Sequence, residues 1–418
     1  MAPPHLPHPA RKSAFAVFLL LLLLALQELV FRVSFPMPEV EGFNRSHYSL
    51  SMAGKYSHRE PMEILCEDAN DLDGYSFIHQ LNLYGFRGPN FRIAYPEDRQ
   101  RVLFIGDSFT EGIGAPLGYT IPEQFESMVS AHCPAEAINL GITGNGLWQY
   151  FHLAKDAIPL LKPDHVYLMA CWNDLPAYVD QPTDPQPISI TSIDSRFTPR
   201  LWLVLKRLYH DKMLAFRFRF RPTPLEEVDF FEDEDAGRQT EIDQMLRELD
   251  PRIIEAVKAN RFNGAMLNIR ESQERYLTAN FDAWDNKDGE NARRPLERIA
   301  EICRQNSCGL TVVYIPSHLA IHARYRATYD SMRPAKPQAP WNDWESAKYR
   351  AQQAHYQHVC NDLRIPFIDT TDAVLNMETG DRRLFWPYDG HCNLEGYRFI
   401  ARICADSYPC WPSPVFRE

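Results

Sequence analysis

Two stretches hold residue types suited to nucleophilic chemistry. One is Val102-Leu-Phe-Ile-Gly106-Asp107-Ser108-Phe-Thr-Glu-Gly112-Ile-Gly114-Ala115, where an apolar run ends in Gly-Asp-Ser. The other is Phe385-Trp-Pro-Tyr388-Asp389-Gly390-His391-Cys392-Asn393, far along the chain. A serine hydroxyl attacks an ester only when a base removes its proton. A neutral imidazole is that base, and a carboxylate beside it fixes its tautomer and stabilises the imidazolium. Ser108, His391 and Asp389 are the candidates for these three parts. Three plainer readings of Ser108 compete. A serine after a strand is most often a helix cap. A phosphate loop requires Gly-Lys-Ser/Thr, which is missing here. The nucleophile elbow of α/β-hydrolases requires Gly-x-Ser-x-Gly, and Thr110 stands at its second glycine.

Acyl transfer also needs N–H donors for the oxyanion. A short strand at 137–140 runs into Gly141-Ile-Thr-Gly144-Asn145-Gly146. This order is not the Gly-x-Gly-x-x-Gly of dinucleotide sites, so no cofactor is expected. A glycine at a rim turn leaves its own amide open to a ligand oxygen, which makes Gly144 a candidate donor. The strand at 165–170 ends in Cys171-Trp172-Asn173-Asp174, and the Asn173 side-chain amide is a second candidate. A plain Asn-Asp turn is the alternative for that pair. His318 and His322 lie at helical spacing, but no His-Glu-x-x-His or Cys-x-x-Cys accompanies them, so no metal is expected.

The elements that must position these residues alternate. Apolar strands precede Gly106, then run at 137–140, 165–170, 310–314 and 365–369, with helices at 121–131, 148–161, 294–307, 345–363 and from about 394 through 403. Strand-helix alternation implies five parallel strands in a three-layer α/β/α sandwich. Ligands gather at the carboxyl ends of such strands, where Ser108 and Asn173 fall. The alternation breaks between about 180 and 291. There a proline-rich loop, a basic apolar stretch at 201–220, an acidic run at 226–235 and an amphipathic helix at 241–258 read as a helical insertion over the strand ends. Residues 36–98 are irregular, with Phe86 expected as an anchor on the core and Arg87 as a surface arginine or one approaching an anionic site.

At the amino end, residues 14–26 are wholly apolar, and residues 29–31 extend the run past Gln27 and Glu28. As a helix, residues 14–31 would span about 27 Å, close to the hydrocarbon thickness of a bilayer. Arg11 and Lys12 precede it, which favours an amino end in the cytoplasm. A cleaved signal peptide is the alternative, but no Ala-x-Ala site follows. The expected organisation is a cytoplasmic 1–12, a transmembrane signal anchor at 13–33 and a linking segment at 34–98. A catalytic domain at 99–410 on the extracytoplasmic side and a tail at 411–418 complete it. The chain has 418 residues and a formal charge of −11, which excludes nucleic acid as a natural partner. Nine cysteines suit an exported domain, with Cys303–Cys308 and Cys404–Cys410 the nearest pairs in sequence. Asn44-Arg-Ser46 fits a glycosylation sequon.

Gly106-Asp-Ser108, Asn139 with Gly144, Asn173-Asp174 and Asp389-x-His391 follow in order the four sequence blocks of the SGNH (GDSL-type) hydrolase superfamily, which the chain resembles over 101–174 and 310–404. The resemblance implies a flavodoxin-like sandwich and a Ser108–His391–Asp389 triad. It also implies an oxyanion hole formed by the Ser108 amide, Gly144 and Asn173. Two features depart from the family pattern. The common motif is Asp-x-x-His, one residue longer than here, and Asn173 is preceded by Cys-Trp rather than by glycine. The shortened motif and the anchor are similar to membrane-attached relatives that add or remove acyl groups on cell-envelope polysaccharides.

The function expected is that of a serine esterase acting on a small-molecule or glycan acyl ester, without cofactor or metal. An O-acyltransferase of the same fold is one alternative. A silent membrane-tethered carbohydrate-binding protein, with Trp148, Trp172 and Trp386 as stacking platforms, is another.

Overall fold

A computed structural model describes residues 8–34, 37–48, 62–67, 74–174, 188–193, 218–219, 249–259, 261–262, 287–331 and 351–410, with 199, 247 and 264 singly. In chain order the elements begin with α1 (His8–Ser34), β1 (Val40–Glu41), β2 (Met62–Glu67) and β3 (Ser76–Leu81). Next come β4 (Gln100–Gly106), α2 (Ser108–Glu111), α3 (Ile121–Val129), β5 (Ala135–Gly141), α4 (Leu147–Leu161) and β6 (His165–Cys171). The middle of the chain gives β7 (Thr191–Ser192), β8 (Phe218–Arg219), α5 (Pro251–Lys258), α6 (Lys287–Gln305) and β9 (Gly309–Ile315). The last are α7 (His318–Ile321), α8 (Ala323–Ser331), α9 (Ala351–Leu363), β10 (Phe367–Asp369), α10 (Thr371–Met377) and α11 (Leu394–Ser407).

The chain divides into two compact units, residues 1–42 with 189–216 and residues 43–188 with 217–418. In the first, β1 pairs antiparallel with β7. Its α1 contains a 23-residue apolar stretch, Lys12–Ser34, of mean hydropathy 2.5, long and apolar enough to cross a membrane. A signal sequence would meet the same criterion.

The second unit is built on a five-stranded sheet in the order β5-β4-β6-β9-β10, with every pairing parallel. Strands covered on both faces lose the alternation of half-buried strands. Accordingly, every residue of β4 and of β6 is buried. The chain winds outward from β4 to β5, then crosses back past β4 to β6 and on to β9 and β10. Right-handed crossovers therefore put α3 on one face and α4, α6 and α9 on the other. The packing agrees, for α3 meets α11 and α4 meets α6. The direction of winding reverses between β4 and β6, which is where ligands bind in open parallel sheets. Ser108 follows the first of these strands and Asn173 the second.

The five strands and the helices at 121–131 and 148–161 match the sequence expectation to within a few residues, while the helix expected at 294–307 begins seven residues earlier, at Lys287. The expected helix at 345–363 is described from residue 351. Other expectations are corrected. Of the helix expected over 241–258, residues 241–246 and 248 lie outside the described residues and Arg247 is helical; the helix breaks at Leu249–Asp250, and α5 begins at Pro251, where Asp250 caps it by accepting the Arg252 N–H at 2.9 Å. Proline at a helix's first turn costs nothing, but within a helix it breaks the ladder. Most of 201–220 lies outside the described residues; its Phe218 and Arg219 form a strand beside β2, not a helix. The segment 36–98 is less irregular than expected, since β2 and β3 pair antiparallel within it. Phe86 is fully buried, as expected of an anchor. Arg87 is not at the surface: buried, it donates to the carbonyls of Glu111, Gly112 and Ala115. Five guanidinium donors can be met by carbonyls as well as by an anion. Asn44 is also buried, which removes the sequon from glycan chemistry in the folded chain.

Among the described residues a disulfide joins Cys133 to Cys410, whose Cα atoms are 5.9 Å apart, while Cys303, Cys308 and Cys404 form none and Cys303 and Cys308 share a hydrogen bond. Proximity in space, not in sequence, selects the pair. Cys404 faces inward from α11, whereas Cys410 lies beyond that helix and reaches the turn after α3.

Burial has a consequence for stability at the start of β6. His165, at the start of β6, is pushed down to about 4 by desolvation. Its folded form is thus neutral, and the unfolded chain binds the extra proton below the ordinary value of 6.5. Stability is full above pH 6.5 and is lost as pH falls toward 4, by about 2–3 kcal/mol from this residue at pH 4.5. His165→Gln should flatten the fall in urea midpoint between pH 7 and pH 4.5. An unchanged slope would contradict this assignment.

Candidate active site

The site begins where β4 ends. Asp107 caps α2, its carboxylate accepting the Phe109 N–H at 2.9 Å, and the four-residue helix closes on Gly112 at φ 85°. Gly106 is needed for space rather than for a left-handed turn. A Cβ there would meet the Met169 carbonyl oxygen at 2.9 Å and the Thr110 hydroxyl. Gly141 has the same role at the end of β5, where a Cβ would strike the backbone of Thr110 and Glu111. Two adjacent strand ends are thereby cleared for α2, which sets Ser108 at their rim.

The other half of the site is a closed loop before α11. Trp386 N–H donates to the His391 carbonyl at 2.8 Å, and Gly390 N–H donates back to the Trp386 carbonyl at 2.7 Å. Gly390 has φ 83°, and a Cβ on it would collide with the buried His318 imidazole. The start of the loop is clamped by buried Glu378, which accepts from Leu384 N–H at 2.8 Å, the Tyr325 hydroxyl at 2.6 Å and Arg324 at 2.7 Å. The end is fixed by Asn393, which caps α11 through the Gly396 N–H at 3.0 Å.

These two constructions meet. His391 Nε2 lies 2.7 Å from Ser108 Oγ, and His391 Nδ1 lies 2.8 Å from Asp389 Oδ2. The Phe109 ring packs against the imidazole with centroids 4.9 Å apart. Ser108 and Asp389 are buried, while His391 remains partly open to solvent. A hydroxyl, an imidazole and a carboxylate are thus in line, with Nδ1 facing the carboxylate and Nε2 facing the hydroxyl. The shorter spacing of Asp389 and His391 does not prevent the contact, because Gly390 in a left-handed conformation turns both side chains the same way.

Gly144 lies in the turn after β5, at φ 78°, and Asn173 in the turn after β6. The Asn173 side chain hydrogen-bonds Asp107, which ties it to the base of α2. Behind Ser108 lies a buried cluster that no sequence motif announced. Asp107, Cys171 and Asp174 hold their polar atoms within 4.8 Å of one another. Asp174 accepts the Tyr150 hydroxyl and the Cys171 N–H, each at 2.7 Å. Burial pushes both carboxyls above the usual range, Asp174 well above it, and the mutual charge adds to the shift on Asp174. Asp107 accepts from the Asn173 side chain. Cys171, raised by the same burial, is a thiol and not a thiolate. Among the described residues this trio is the sole group with metal-ligand proximity. His318 and His322 do not converge. The first is buried and pushed down to about 3 by desolvation, while the second follows the end of α7 in an extended conformation.

Trp148 and Trp172 are buried, so neither offers a face for stacking. Trp386 packs against Tyr75, with centroids 5.6 Å apart.

No family model matches the chain, and no curated protein matches it. Solved structures do. A catalytic mutant of the acetylxylan esterase Axe2 from Geobacillus stearothermophilus is 14% identical, covering 77% of this chain and 100% of its own, with a TM-score of 0.36. A lipase/acylhydrolase from Enterococcus faecalis is 12% identical, covering 75% and 99%, with a TM-score of 0.35. A member of the lipolytic G-D-S-L family from Veillonella parvula is 10% identical, covering 74% and 97%, with a TM-score of 0.34. Superposition this loose carries no argument about activity.

The buried cluster makes a chemical prediction. Iodoacetamide should modify Cys171 only after denaturation, as read by peptide mass mapping. Rapid modification of the native protein would contradict the thiol's placement.

Proposed function

We propose that the chain is a serine hydrolase of the SGNH type that cleaves acyl esters. The observation that carries this reading is the unbroken hydrogen-bonded line from Ser108 Oγ through the His391 imidazole to Asp389, at 2.7 and 2.8 Å. Ser108 attacks the ester carbonyl as His391 takes its proton. Asp389 holds the Nδ1–H tautomer and stabilises the imidazolium that forms. The tetrahedral oxyanion is received by the amides of Ser108 and Gly144 and by the Asn173 side chain, which Asp107 orients from behind. Collapse expels the alcohol, protonated by His391, and leaves an acyl-serine that water hydrolyses by the same path in reverse. Water as acceptor makes the protein an esterase. A sugar hydroxyl in its place would make it an O-acyltransferase with identical machinery.

The buried flanks of Trp148 and Trp172 weigh against a silent sugar-binding role. In this reading residues 99–410 carry the chemistry and residues 13–33 anchor the chain. Arg11 and Lys12 favour a cytoplasmic amino end, which puts the hydrolase outside the cytoplasm. The Cys133–Cys410 disulfide supports that side, because such bonds persist in oxidising compartments.

The test is hydrolysis of p-nitrophenyl acetate by the full-length chain in detergent. Ser108→Ala and His391→Ala should reduce turnover to near background. Asn173→Ala should lower kcat by about 10²–10³-fold, the usual cost of one oxyanion donor. Full activity in Ser108→Ala would refute the mechanism.

A further inference from the structure

One carboxylate joins the nucleophile's helix to the proposed oxyanion turn, and its partners come from a part of the chain remote from both. Glu111 is the last residue of α2, fully buried. Its Oε2 accepts the Thr143 N–H at 2.6 Å and the Thr143 hydroxyl at 2.7 Å. Thr143 is the residue immediately before Gly144. The same carboxylate faces Arg45, with Nη1 2.6 Å from Oε1 and Nη2 2.9 Å from Oε2, and His79 Nε2 lies 2.9 Å from Oε1. Burial of a lone carboxylate would raise its pKa; Arg45, His79 and Thr143 instead hold Glu111 below the usual carboxylate range. The other side of Gly144 is tethered too, since Asn145 Nδ2 donates to the Tyr48 carbonyl at 3.0 Å. Arg45 and Tyr48 belong to one short stretch, fixed to the body by Arg45 N–H to the Tyr84 carbonyl at 3.0 Å and the Tyr48 hydroxyl to Asp156 at 3.1 Å.

We propose that Glu111 is a positioning residue that fixes the Gly144 amide for the oxyanion, with the segment around Arg45–Tyr48 as its outer brace. The proposal rests on the esterase reading above. The turn at Gly144 is closed by one backbone bond, Asn145 N–H to the Ile142 carbonyl at 3.1 Å, and side chains on either side add to it. Here the preceding N–H is bound to an ionised carboxylate and the following side chain to a backbone carbonyl. Because Glu111 lies three residues after Ser108, one group sets the distance between nucleophile and oxyanion donor. The segment before residue 99 thereby becomes part of the active site's frame, not a spacer between anchor and enzyme.

Removing Glu111 alone would leave Arg45 buried without its counter-charge, so the test uses paired variants in the full-length chain. In Glu111→Gln with Arg45→Met, the amide oxygen still accepts from Thr143, and the amide group meets His79, whose imidazole can turn acceptor. In Glu111→Leu with Arg45→Met, the charges are again gone together, but Thr143 has no acceptor. With p-nitrophenyl acetate as substrate, the glutamine pair should keep kcat within about 5-fold of the parent. The leucine pair should lose about 10²-fold, with KM within about 3-fold for both. Equal kcat in two pairs of equal melting temperature would overturn the proposal. Should a pair fail to fold, Asn145→Ala decides: a loss of about 10-fold in kcat at unchanged KM supports the brace, and no loss overturns it. Ser108→Ala, assayed alongside, keeps the two claims apart. Activity in that variant would sink the esterase reading itself, whereas its inactivity with equal paired variants sinks only the role of Glu111.

Discussion

The contact on which the proposed chemistry depends is the hydrogen bond between the His391 imidazole and the Ser108 hydroxyl, which joins residues 283 apart in sequence. A single such bond is worth about 0.5–1.5 kcal/mol and could not by itself hold two loops together. It exists because each partner is fixed independently. Ser108 is set by the β4 end, the Asp107 cap and the two glycines that let α2 lie on the sheet rim. His391 is set by a loop closed on itself between Trp386 and Gly390, clamped at one end by Glu378 and at the other by the Asn393 cap. Each half is held by its own bonds, so in the proposed reaction little entropy would remain to be lost on alignment.

Beneath that contact the unit buries more charge than a structural core needs. A buried ion pair seldom adds net stability against an apolar replacement, but losing one partner from it is costly. Glu111 with Arg45 is a pair of this kind, and Glu378 is buried against a half-buried Arg324. Each lies one step behind a loop that presents a proposed catalytic group, Glu111 behind the turn of Gly144 and Glu378 behind the loop of His391. Asp107 and Asp174 differ in being like charges. Burial raises both, the charge of Asp107 adds to the shift on Asp174, and Asp107 accepts from the Asn173 side chain. Polar groups spent in this way supply direction, not stability.

Much of this arrangement was legible in the sequence, and the part that was not has a common cause. Strands buried on both faces announce themselves as continuous apolar runs, so β4, β5, β6 and β9 and their order could be inferred. Ser108, His391 and Asp389 were legible because each sits at the end of a recognisable element in a short motif. Arg45 and His79 were not. A lone arginine in an irregular stretch is ordinarily a surface residue, and only the tertiary fold reveals that Glu111 needs it. Arg87 was misjudged on the same ground, and the burial of Trp148 and Trp172 removes the alternative in which they were stacking platforms. The disulfide follows the same logic: Cys133 and Cys410 lie 277 residues apart, and no spacing rule selects them over the neighbouring pairs. Local physics is written in local sequence, whereas the partners of buried charges are chosen by the fold.

The central claim, that the Ser108 hydroxyl is made nucleophilic by His391, is tested most directly by a fluorophosphonate reagent with peptide mass mapping. The native chain should gain one adduct, on Ser108, and His391→Ala should gain none while melting at a similar temperature. Folded protein that stays unlabelled, or an adduct that forms equally well without the imidazole, would contradict the account.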